Sequence, residues 1–344
     1  MPEHEPDLPA KVAFLADPRA HAAGTQSVEV VQTHRSFVFL TESRAYKLKK
    51  PVQVDGVDLA RLADREAQCR NEVALNRRLT SGVYEGVAAL TLDAAGRLHL
   101  DGEGRAVEWL VRMRRLPRSH MLDRQIEAGQ VDIEGLRVCI AMLAAFYARQ
   151  PPADIGPVGF RESLARRIEE NRCALARPGL DLQESHLDDL RREQMRLLAA
   201  LGDDIDERVR DGRIVEGHGD LRPEHICLAP PRPQVIDCLE FSLGLRIVDA
   251  IEELGFLALE CARLGAPHLE AVIFDAYRGA RRDPVPPRLV HFYQSVHAGV
   301  RAKLAAWHLD EPGPNGPVHW KDRADAYVRV ARTHAAAAAR LTSA

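Results

Sequence analysis

Apolar and polar residues alternate over short stretches in the first third of the chain, and this pattern changes near residue 117. Before that point, β-branched and aromatic residues come in short runs or at every second position, which is typical of strands. Beyond it, apolar residues recur every three or four positions, which is typical of amphipathic helices. A strand-rich segment followed by a run of helices predicts an α+β fold with a small β-rich lobe and a larger helical lobe.

The small lobe is predicted to cover residues 27–116 and to contain one long helix. Residues 1–26 precede it, and their scattered prolines and small residues predict a loosely attached N-terminal arm with one short helix. The elements predicted for this lobe are a hairpin over 27–52 that turns at 42–44, a helix over 57–80, a hairpin formed by 87–92 and 98–100, and a strand over 106–112.

The larger lobe is predicted to run from 117 to 344, because Pro117 ends the last strand of the small lobe. Two short β-type segments, at 213–215 and 234–236, interrupt an otherwise helical pattern. The helices predicted for this lobe are 132–149, 160–177, 182–209, 248–264, 267–280, 285–309 and 320–341.

Composition narrows the class of protein. The 344 residues include 47 Lys and Arg against 50 Asp and Glu, and the net charge of −3 gives no reason to expect a nucleic-acid partner. The hydrophobic fraction of 46% is ordinary for a globular protein and too high for a disordered one. No apolar run reaches the roughly 20 residues of a membrane span, and the first residues do not resemble a signal peptide. We therefore expect a cytoplasmic protein with no membrane partner, whose six scattered cysteines are reduced.

Lysine is scarce and locally concentrated. Only six of the 47 basic residues are lysines, and three of them, Lys47, Lys49 and Lys50, fall within four positions of one predicted strand. Such a cluster is often no more than the solvated edge of a sheet. Here Glu72 follows on the next predicted helix, and a glutamate in that place makes the lysines candidates for a functional ion pair.

The densest run of polar residues spans 216–225 and reads Glu-Gly-His-Gly-Asp-Leu-Arg-Pro-Glu-His. About ten residues later, Asp237 and Glu240 follow a second β-type segment. Carboxylates held at neighbouring strand ends can face one pocket, where one serves as a general base and another binds a metal ion. The two segments therefore predict a site for acid–base or metal-assisted chemistry.

The same two segments resemble a known family. His218-Gly219-Asp220, followed by a strand and then Ile236-Asp237, is similar to the pattern of aminoglycoside phosphotransferases and choline kinases. That resemblance implies a protein-kinase-like two-lobe fold, with a nucleotide-binding small lobe and a larger lobe that holds the catalytic loop and the helices that bind the acceptor.

Further segments resemble an uncharacterised bacterial group of aminoglycoside-phosphotransferase-like proteins. These segments are 36–52, 71–79 and 111–116, and the resemblance as a whole covers about 28–249. Some members of that group carry an additional C-terminal P-loop kinase domain. No Gly-x-x-x-x-Gly-Lys-Ser/Thr motif is present here, which implies the single-domain form.

The resemblance implies roles for the acidic segments. Asp220 matches the catalytic aspartate, which orients or deprotonates the acceptor hydroxyl, and His218 belongs to the same candidate catalytic loop. Asp237 matches the magnesium-binding aspartate, and Glu240 is a candidate for a further metal ligand, with a turn or surface role as the alternative. Asp249 matches an aspartate that braces the catalytic loop.

The resemblance also implies a nucleotide site in the small lobe. Lys49 best matches the strand lysine that holds the α- and β-phosphates of ATP, and Lys47, two positions away on the same face of the strand, is the alternative. Glu72 matches the glutamate that pairs with that lysine. Met113 and Arg114 match the hinge that contacts adenine, mostly through backbone groups.

Two positions depart from the family pattern. His225 stands where the family has an asparagine that binds metal, and magnesium prefers oxygen ligands to imidazole nitrogen. His225 is therefore a candidate for contact with metal or nucleotide, with a structural hydrogen-bonding role as the alternative. Segment 32–36, at the position of the nucleotide loop, contains no glycine, so its backbone cannot approach phosphates as closely.

The leading hypothesis is a phosphotransferase that uses ATP, or another nucleoside triphosphate, with Mg²⁺. It would act on the hydroxyl of a small molecule such as a sugar, an amino-sugar or an aminoglycoside-like compound. A nucleotide-binding pseudokinase with a regulatory role is the second hypothesis, motivated by His225. The third is a metal-dependent hydrolase, although no His-Glu-x-x-His or similar ligand motif is present. The sequence predicts neither the acceptor nor the oligomeric state.

Overall fold

A computed structural model describes residues 5–54, 57–177, 179–180, 182–310 and 316–343. The chain divides into two compact units, which we call unit one (1–125 and 224–243) and unit two (126–223 and 244–344). Segment 224–243 belongs to unit one although it lies far along the sequence. The predicted lobes divide the chain at residue 117 instead and leave 224–243 in the larger lobe.

Unit one is the strand-rich part of the chain, as the alternating pattern predicts. Its last helix crosses the boundary to unit two at residue 125. The elements are α1 (Leu8–Ala16), β1 (Glu29–Gln32), β2 (Ser36–Leu40), β3 (Arg44–Lys49), β4 (Gln53–Val54), β5 (Val57–Asp58), α2 (Leu62–Asn76), β6 (Tyr84–Leu92), β7 (Leu98–Leu100), β8 (Arg105–Arg114) and α3 (Leu122–Glu127). The helix predicted from residue 57 begins at Leu62, because 57–58 form a short strand with 53–54.

One antiparallel sheet organises unit one. Its six strands lie in the order β1-β2-β3-β8-β6-β7, so β3 is an inner strand between β2 and β8. Helix α2 packs on this sheet through Cys69 and Val73, which join a buried cluster with Val111 and Met113. Ile236, from the second segment of the unit, packs against the same cluster. The packing of Ile236 fixes the position of the residue that follows it, Asp237.

The N-terminal helix is part of the core, so the prediction of a loosely attached arm is wrong. Leu15 of α1 is fully buried in the cluster under the sheet. Lys11 Nζ donates to the carbonyl of Val107 at 2.7 Å and to Glu108 Oε2 at 3.2 Å. Arg65 of α2 binds the same carboxylate through two hydrogen bonds of 2.8 Å. A buried carboxylate with two cationic partners therefore ties α1, the sheet and α2 together.

The second segment of unit one is anchored to the end of α2. Three short strands come next along the chain. Strand β9 (Ile214–Glu216) belongs to unit two, and strands β10 (Ile226–Cys227) and β11 (Gln234–Val235) belong to unit one. Strands β10 and β11 form an antiparallel hairpin. The Ser81 N–H donates to Gln234 Oε1 at 2.7 Å, and the Val235 N–H donates to the Leu79 carbonyl at 3.3 Å. The hairpin therefore holds segment 236–240 close to α2.

Unit two is helical, as predicted, with a two-stranded ladder between β9 and β12 (Ile247–Asp249). The helix predicted over 182–209 is two helices, because the backbone of Leu201 leaves helical geometry (φ −95°, ψ 9°) just before Gly202, a weak helix former. The helices are α4 (Ile133–Arg149), α5 (Pro157–Leu175), α6 (Glu184–Ala200), α7 (Gly202–Arg210), α8 (Ala250–Arg263), α9 (Leu269–Ala280), α10 (Pro287–Trp307) and α11 (Gly316–Ser343). Among the helices of the described ranges, none is long and apolar enough to cross a membrane.

Two histidine rings, of His291 and His334, lie against each other between α10 and α11, tilted by 39°. Nδ1 of His291 lies 3.0 Å from Nδ1 of His334, and burial together with the His291 charge lowers the pKa of His334 to about 4. We expect the free energy of unfolding to fall as the pH drops from 6.5 towards 4, because the unfolded chain binds a proton that folded His334 resists. Urea unfolding at several pH values measures this. The variant His334→Gln should show a flatter profile over the same range, and an unchanged slope would contradict the assignment.

Candidate active site

The two lysines of β3 share one glutamate. Lys47 Nζ lies 2.9 Å from Glu72 Oε1, and Lys49 Nζ lies 2.5 Å from Glu72 Oε2. Side chains two positions apart on a strand point to the same face, and α2 covers that face of the sheet. The structure therefore brings together Glu72 and both lysines proposed from the sequence, and Glu72 itself is completely buried.

Two more carboxylates extend the Lys47–Glu72–Lys49 group into a chain of alternating charge. The second oxygen contact of Lys47 Nζ is Asp237 Oδ1, at 2.6 Å. Lys49 donates a short hydrogen bond to Glu240 Oε1. The order of groups is thus Asp237, Lys47, Glu72, Lys49 and Glu240, and we call this arrangement the five-residue network. Its members come from β3, α2 and segment 236–240, all within unit one.

The network favours the charged forms of Lys47, Asp237 and Glu240. Burial by itself lowers the pKa of Lys47, but the charges of Asp237 and Glu72 outweigh burial and hold that pKa well above its usual range. Partial desolvation raises the pKa of Asp237, but the charge of Lys47 outweighs that effect and lowers it. The pKa of Glu240 is also lowered, because Lys49 outweighs burial. The site therefore offers fixed charges of both signs at neutral pH.

The two lysines differ in access to solvent. The side chain of Lys47 is 15% exposed, whereas that of Lys49 is 3% exposed. The partner of Lys47, Asp237, has a side chain that is 42% exposed, whereas Glu240, the partner of Lys49, is 14% exposed. Lys47 and Asp237 thus form the open end of the network, and Lys49 and Glu240 form its closed end.

Backbone contacts hold Asp237 in an unusual conformation. Its φ of 62° is in the left-handed region, which few residues other than glycine adopt and where Asp is tolerated better than most. Its N–H donates to the hydroxyl of Tyr84 at 3.1 Å. The next N–H, of Cys238, donates to Asn76 Oδ1 at 2.9 Å, and the Asn76 amide donates to the Glu72 carbonyl at 2.8 Å. These contacts fix the carboxylate of Asp237 relative to Glu72, and non-glycine residues with such φ values are often found at functional sites.

The side chain of His225 lies beside the open end of the network. It is 6% exposed, and its Nε2 is 3.6 Å from Asp237 Oδ2, which is longer than a hydrogen bond. The Ile236 N–H donates to the His225 carbonyl at 2.9 Å, so the β10–β11 hairpin sets this distance. Of the three metal ligands predicted from the sequence, His225 and Asp237 are neighbours, whereas Glu240 is engaged by Lys49.

The side chains at the open end of the network provide only some of the ligands that a divalent cation needs. Asp237 supplies carboxylate oxygen, the ligand that Mg²⁺ prefers. Across the described residues, however, no group of three or more His, Cys, Asp or Glu side chains is placed to hold a metal ion. A cation bound by Asp237 therefore needs further ligands from a bound phosphate and water, which is how Mg²⁺ is usually held where phosphates react.

Met113 and Arg114, the predicted adenine contacts, lie at the end of β8. Met113 is 9% exposed and packs in the cluster between α2 and the sheet. The Arg114 N–H donates to the Val83 carbonyl, and the Arg115 N–H donates to the Ser43 carbonyl, both at 2.8 Å. These two N–H groups are therefore already engaged within the unit, and the contact with adenine stays a prediction.

The catalytic loop predicted from the sequence belongs to unit two, where a buried glutamate holds its backbone. Glu253 Oε1 accepts from the His218 N–H at 3.0 Å and from the Gly219 N–H at 2.6 Å. Its Oε2 accepts from the hydroxyl of Tyr147 at 2.6 Å. Burial raises the pKa of Glu253. Gly217, just upstream, has no room for a side chain, because a Cβ there would lie 2.6 Å from Val248 and 2.8 Å from the Glu253 carboxylate.

Asp220 is more accessible than its neighbours in the loop. Its side chain is 25% exposed, and the Arg222 Nε lies 3.0 Å from its Oδ1. The Asp220 N–H donates to His218 Nδ1 at 3.2 Å, and His218 is fully buried. Gly219 between them has a φ of 87°, a conformation that glycine adopts without strain. His218 therefore orients the loop, and the carboxylate of Asp220 is partly open to solvent.

The carboxylate of Asp249, which the resemblance assigns to bracing the catalytic loop, lies at the start of α8. Its carboxylate binds Arg208 and accepts from the Ile251 N–H at 3.1 Å, so it caps α8. Its other partner is the hydroxyl of Tyr293, at 3.2 Å. The carboxylate that accepts from the loop is that of Glu253, one helical turn later, because a side chain at Asp249 is already committed to the helix terminus.

Four residues that contact either the five-residue network or the catalytic loop were not predicted: Tyr84, Asn76, Tyr147 and Glu253. Asn76 and Glu253 could have been found from the sequence, because each is a polar residue on the buried face of its helix. The two tyrosines could not have been found in this way, since a buried aromatic residue is common in any hydrophobic core. The unpredicted residues all act on backbone or on carboxylates of the site rather than facing solvent.

Comparison with solved structures identifies the class of fold. A choline/ethanolamine kinase family protein from Mesorhizobium loti matches with a TM-score of 0.57 and 17% identity, over 96% of this chain and 98% of that one. Choline kinase LicA from Streptococcus pneumoniae matches with a TM-score of 0.51 and 14% identity, over 89% and 94%. These matches confirm the protein-kinase-like α+β fold, which is the fold of the family that the sequence resembles.

The curated relatives are proteins without an assigned activity. Uncharacterized proteins of Mycobacterium tuberculosis and Mycobacterium bovis are 34% identical to this chain over 292 residues, which is 83% of this chain. The chain spans 56% of the length of these relatives. No protein-family model matches the sequence.

Proposed function

We propose that this chain is a phosphotransferase that transfers the γ-phosphoryl group of ATP to the hydroxyl of a small molecule. The observation that carries this proposal is the open end of the five-residue network, where Lys47 is held between Glu72 and Asp237. A lysine fixed by a buried glutamate and placed against an exposed carboxylate supplies what phosphoryl transfer requires: a cation for the phosphates and an oxygen ligand for a metal ion. The resemblance in sequence and the fold of the choline kinases support the same reading.

Nucleotide binding is the first part of the proposal. LicA has been crystallised in complex with AMP, and that structure matches this chain with a TM-score of 0.52. We assign the phosphate contact to Lys47 rather than to Lys49, which the sequence favoured. Lys47 is the more exposed of the two, and its neighbour Asp237 is open to solvent, whereas Lys49 is enclosed between Glu72 and Glu240. In this role, Lys49 sets the position of Glu72.

Transfer to the acceptor is the second part. The acceptor oxygen forms a bond to the γ-phosphorus while the bond from that phosphorus to the β–γ bridging oxygen breaks, and ADP leaves. Asp220 orients the acceptor hydroxyl and takes its proton. His218 and Glu253 hold the loop so that Asp220 does not move during the reaction. Asp237 would supply a carboxylate oxygen to a divalent cation, and that cation, when bound, would neutralise charge on the phosphates.

Ligand-dependent stability tests this proposal directly. Thermal unfolding is followed with ATP alone, Mg²⁺ alone and both together, and both together should raise the stability most. A ligand present at 100 times its Kd adds about 2.7 kcal/mol. A phosphate-transfer screen against sugars, amino-sugars, aminoglycosides, choline and ethanolamine then identifies the acceptor. The absence of any stabilisation by ATP, GTP or their Mg²⁺ complexes would contradict the proposal.

A comparison of three lysine variants tests the assignment of the phosphate contact. We expect Lys47→Met to weaken ATP binding about 10- to 100-fold, because a hydrogen bond to a charged group contributes about 1.5–3 kcal/mol. Lys49→Met should mainly lower the stability of the free protein, since it removes one partner from the buried Glu72 and from the largely shielded Glu240. Calorimetric titration with MgATP measures the affinities.

Lys50→Met is the matched control, because Lys50 Nζ donates to the Thr33 carbonyl and lies over the Phe37 ring, and Lys50 is not a member of the five-residue network. This variant should bind MgATP as the unchanged protein does. Equal losses of affinity in the variants of Lys47, Lys49 and Lys50 would indicate that the cluster is surface charge with no specific role.

A pseudokinase is the second candidate function. Its supporting observation is that His225 stands beside Asp237 where the family has a metal-binding asparagine. The phosphotransferase and the pseudokinase differ in whether phosphate is transferred to an acceptor. A protein that binds MgATP, transfers no phosphate to any acceptor in the screen and is unaffected by Asp220→Asn would be a pseudokinase.

A further inference from the structure

We infer that His225 and Asp237 together bind the divalent cation of the nucleotide complex, and that the site consequently prefers a transition-metal ion such as Mn²⁺ over Mg²⁺. The inference rests on the proposed function, because the remaining ligands are phosphate oxygens and water. It concerns the identity of the cation and not the reaction.

The spacing of the two side chains supports a shared cation. Nε2 of His225 and Oδ2 of Asp237 are 3.6 Å apart. That distance is too long for a hydrogen bond. Ligand bonds to divalent ions in proteins are about 2.0–2.2 Å long, so two ligands of one ion lie roughly 3–4 Å apart. The pair is therefore spaced as two ligands of one ion would be.

The surroundings of the pair fix this spacing before any ligand binds. The imidazole is 7% exposed, and the backbone of His225 is hydrogen-bonded to Ile236 across the β10–β11 hairpin. The backbone of Asp237 is held by Tyr84. Both ligands thus belong to one anchored hairpin, and binding costs little reorganisation of the chain.

The chemistry of the donors sets the preference. Mg²⁺ takes oxygen ligands almost exclusively, whereas first-row transition ions accept imidazole nitrogen readily. Lys47 already occupies Asp237 Oδ1, at 2.6 Å, so Oδ2, the oxygen nearer to His225, is the one that faces a cation. A cation on Oδ2 therefore meets nitrogen as its second protein ligand. An asparagine in place of His225 would offer oxygen instead and restore the preference for Mg²⁺.

Two measurements on the full chain test this inference. The first is the ratio of the dissociation constants of the methylene analogue of ATP with Mg²⁺ and with Mn²⁺. His225→Asn should lower the preference for Mn²⁺ about tenfold, since a metal-contacting group commonly changes affinity by about 10- to 100-fold. The second is pulsed electron paramagnetic resonance of bound Mn²⁺. It should show a nitrogen coupling that changes when the protein is labelled with nitrogen-15 histidine and that disappears in His225→Asn.

Controls separate a loss of folding from a loss of the ligand. His99→Asn replaces a half-exposed histidine of the same unit, whose partner is Asp93, and should change neither measurement. His225→Gln is a second variant, and circular dichroism and thermal unfolding establish that each variant is folded. A folded His225→Gln protein should also lack the nitrogen coupling.

The outcomes distinguish this inference from the proposed function. If the analogue binds with both metals, shows no histidine coupling and has the same metal preference in His225→Asn, the inference is overturned and the proposed function stands. If the analogue binds with neither metal, both are overturned. A histidine coupling together with the expected change in preference supports both.

Discussion

We expect Asp220→Asn to lower the rate of phosphoryl transfer by about 10²- to 10⁴-fold, the usual contribution of a general base. The change removes the proton acceptor but preserves the shape and the backbone contacts of the loop. Because the five-residue network lies in other elements, the affinity for MgATP should stay within about twofold. Transfer to the acceptor found in the hydroxyl screen measures the rate, and calorimetry measures the affinity.

Two comparisons make this result specific to Asp220. Asp211→Asn, which changes an exposed carboxylate at the end of α7, should leave the rate unchanged. Glu253→Gln should lower the rate by disturbing the loop, and it should also lower the melting temperature, because it changes a buried acceptor of three N–H contacts and one tyrosine hydroxyl. A rate for Asp220→Asn equal to that of the unchanged protein would refute its assignment as the base.

The second large effect is structural and concerns Glu108. We expect Glu108→Gln to lower the free energy of unfolding by about 3–5 kcal/mol, because it leaves the buried Lys11 and Arg65 without their shared carboxylate. Urea unfolding measures the change. Lys11→Met should cost less, since Arg65 retains both of its hydrogen bonds to Glu108. A loss below about 1 kcal/mol for Glu108→Gln would mean that water compensates the two cations.

Much of the fold follows from local sequence pattern. The β2–β3 hairpin, the β6–β7 hairpin and most helices of unit two were predicted within a few residues, because period-two and helical periodicity are strong signals in long segments. Shorter elements were missed: α3, β5 and β12 have two to six residues each. So few residues give no measurable periodicity. The attachment of α1 was also missed, since a buried lysine such as Lys11 looks exposed in sequence.

In the candidate site, too, some features could be predicted from the sequence and others could not. The resemblance pointed to Glu72, Asp237 and both lysines, and these four side chains lie in direct contact. The resemblance did not indicate which of the two lysines contacts each carboxylate. The exposure of Lys47 relative to Lys49 depends on where segment 236–240 returns to α2, which is a long-range property. For the same reason, the resemblance named Asp249 and did not indicate Glu253, whose carboxylate accepts hydrogen bonds from the backbone of the catalytic loop.

The division of unit one into two separate stretches of chain has a consequence during protein synthesis. Residues 1–125 emerge from the ribosome roughly a hundred residues before 224–243. Domains generally fold as they emerge. The sheet, α2 and the Lys47–Glu72–Lys49 cluster can therefore form early, with two cations around one carboxylate. Asp237 and Glu240 arrive later and balance that excess of positive charge, so the nascent chain acquires both cations of the network before two of its three carboxylates.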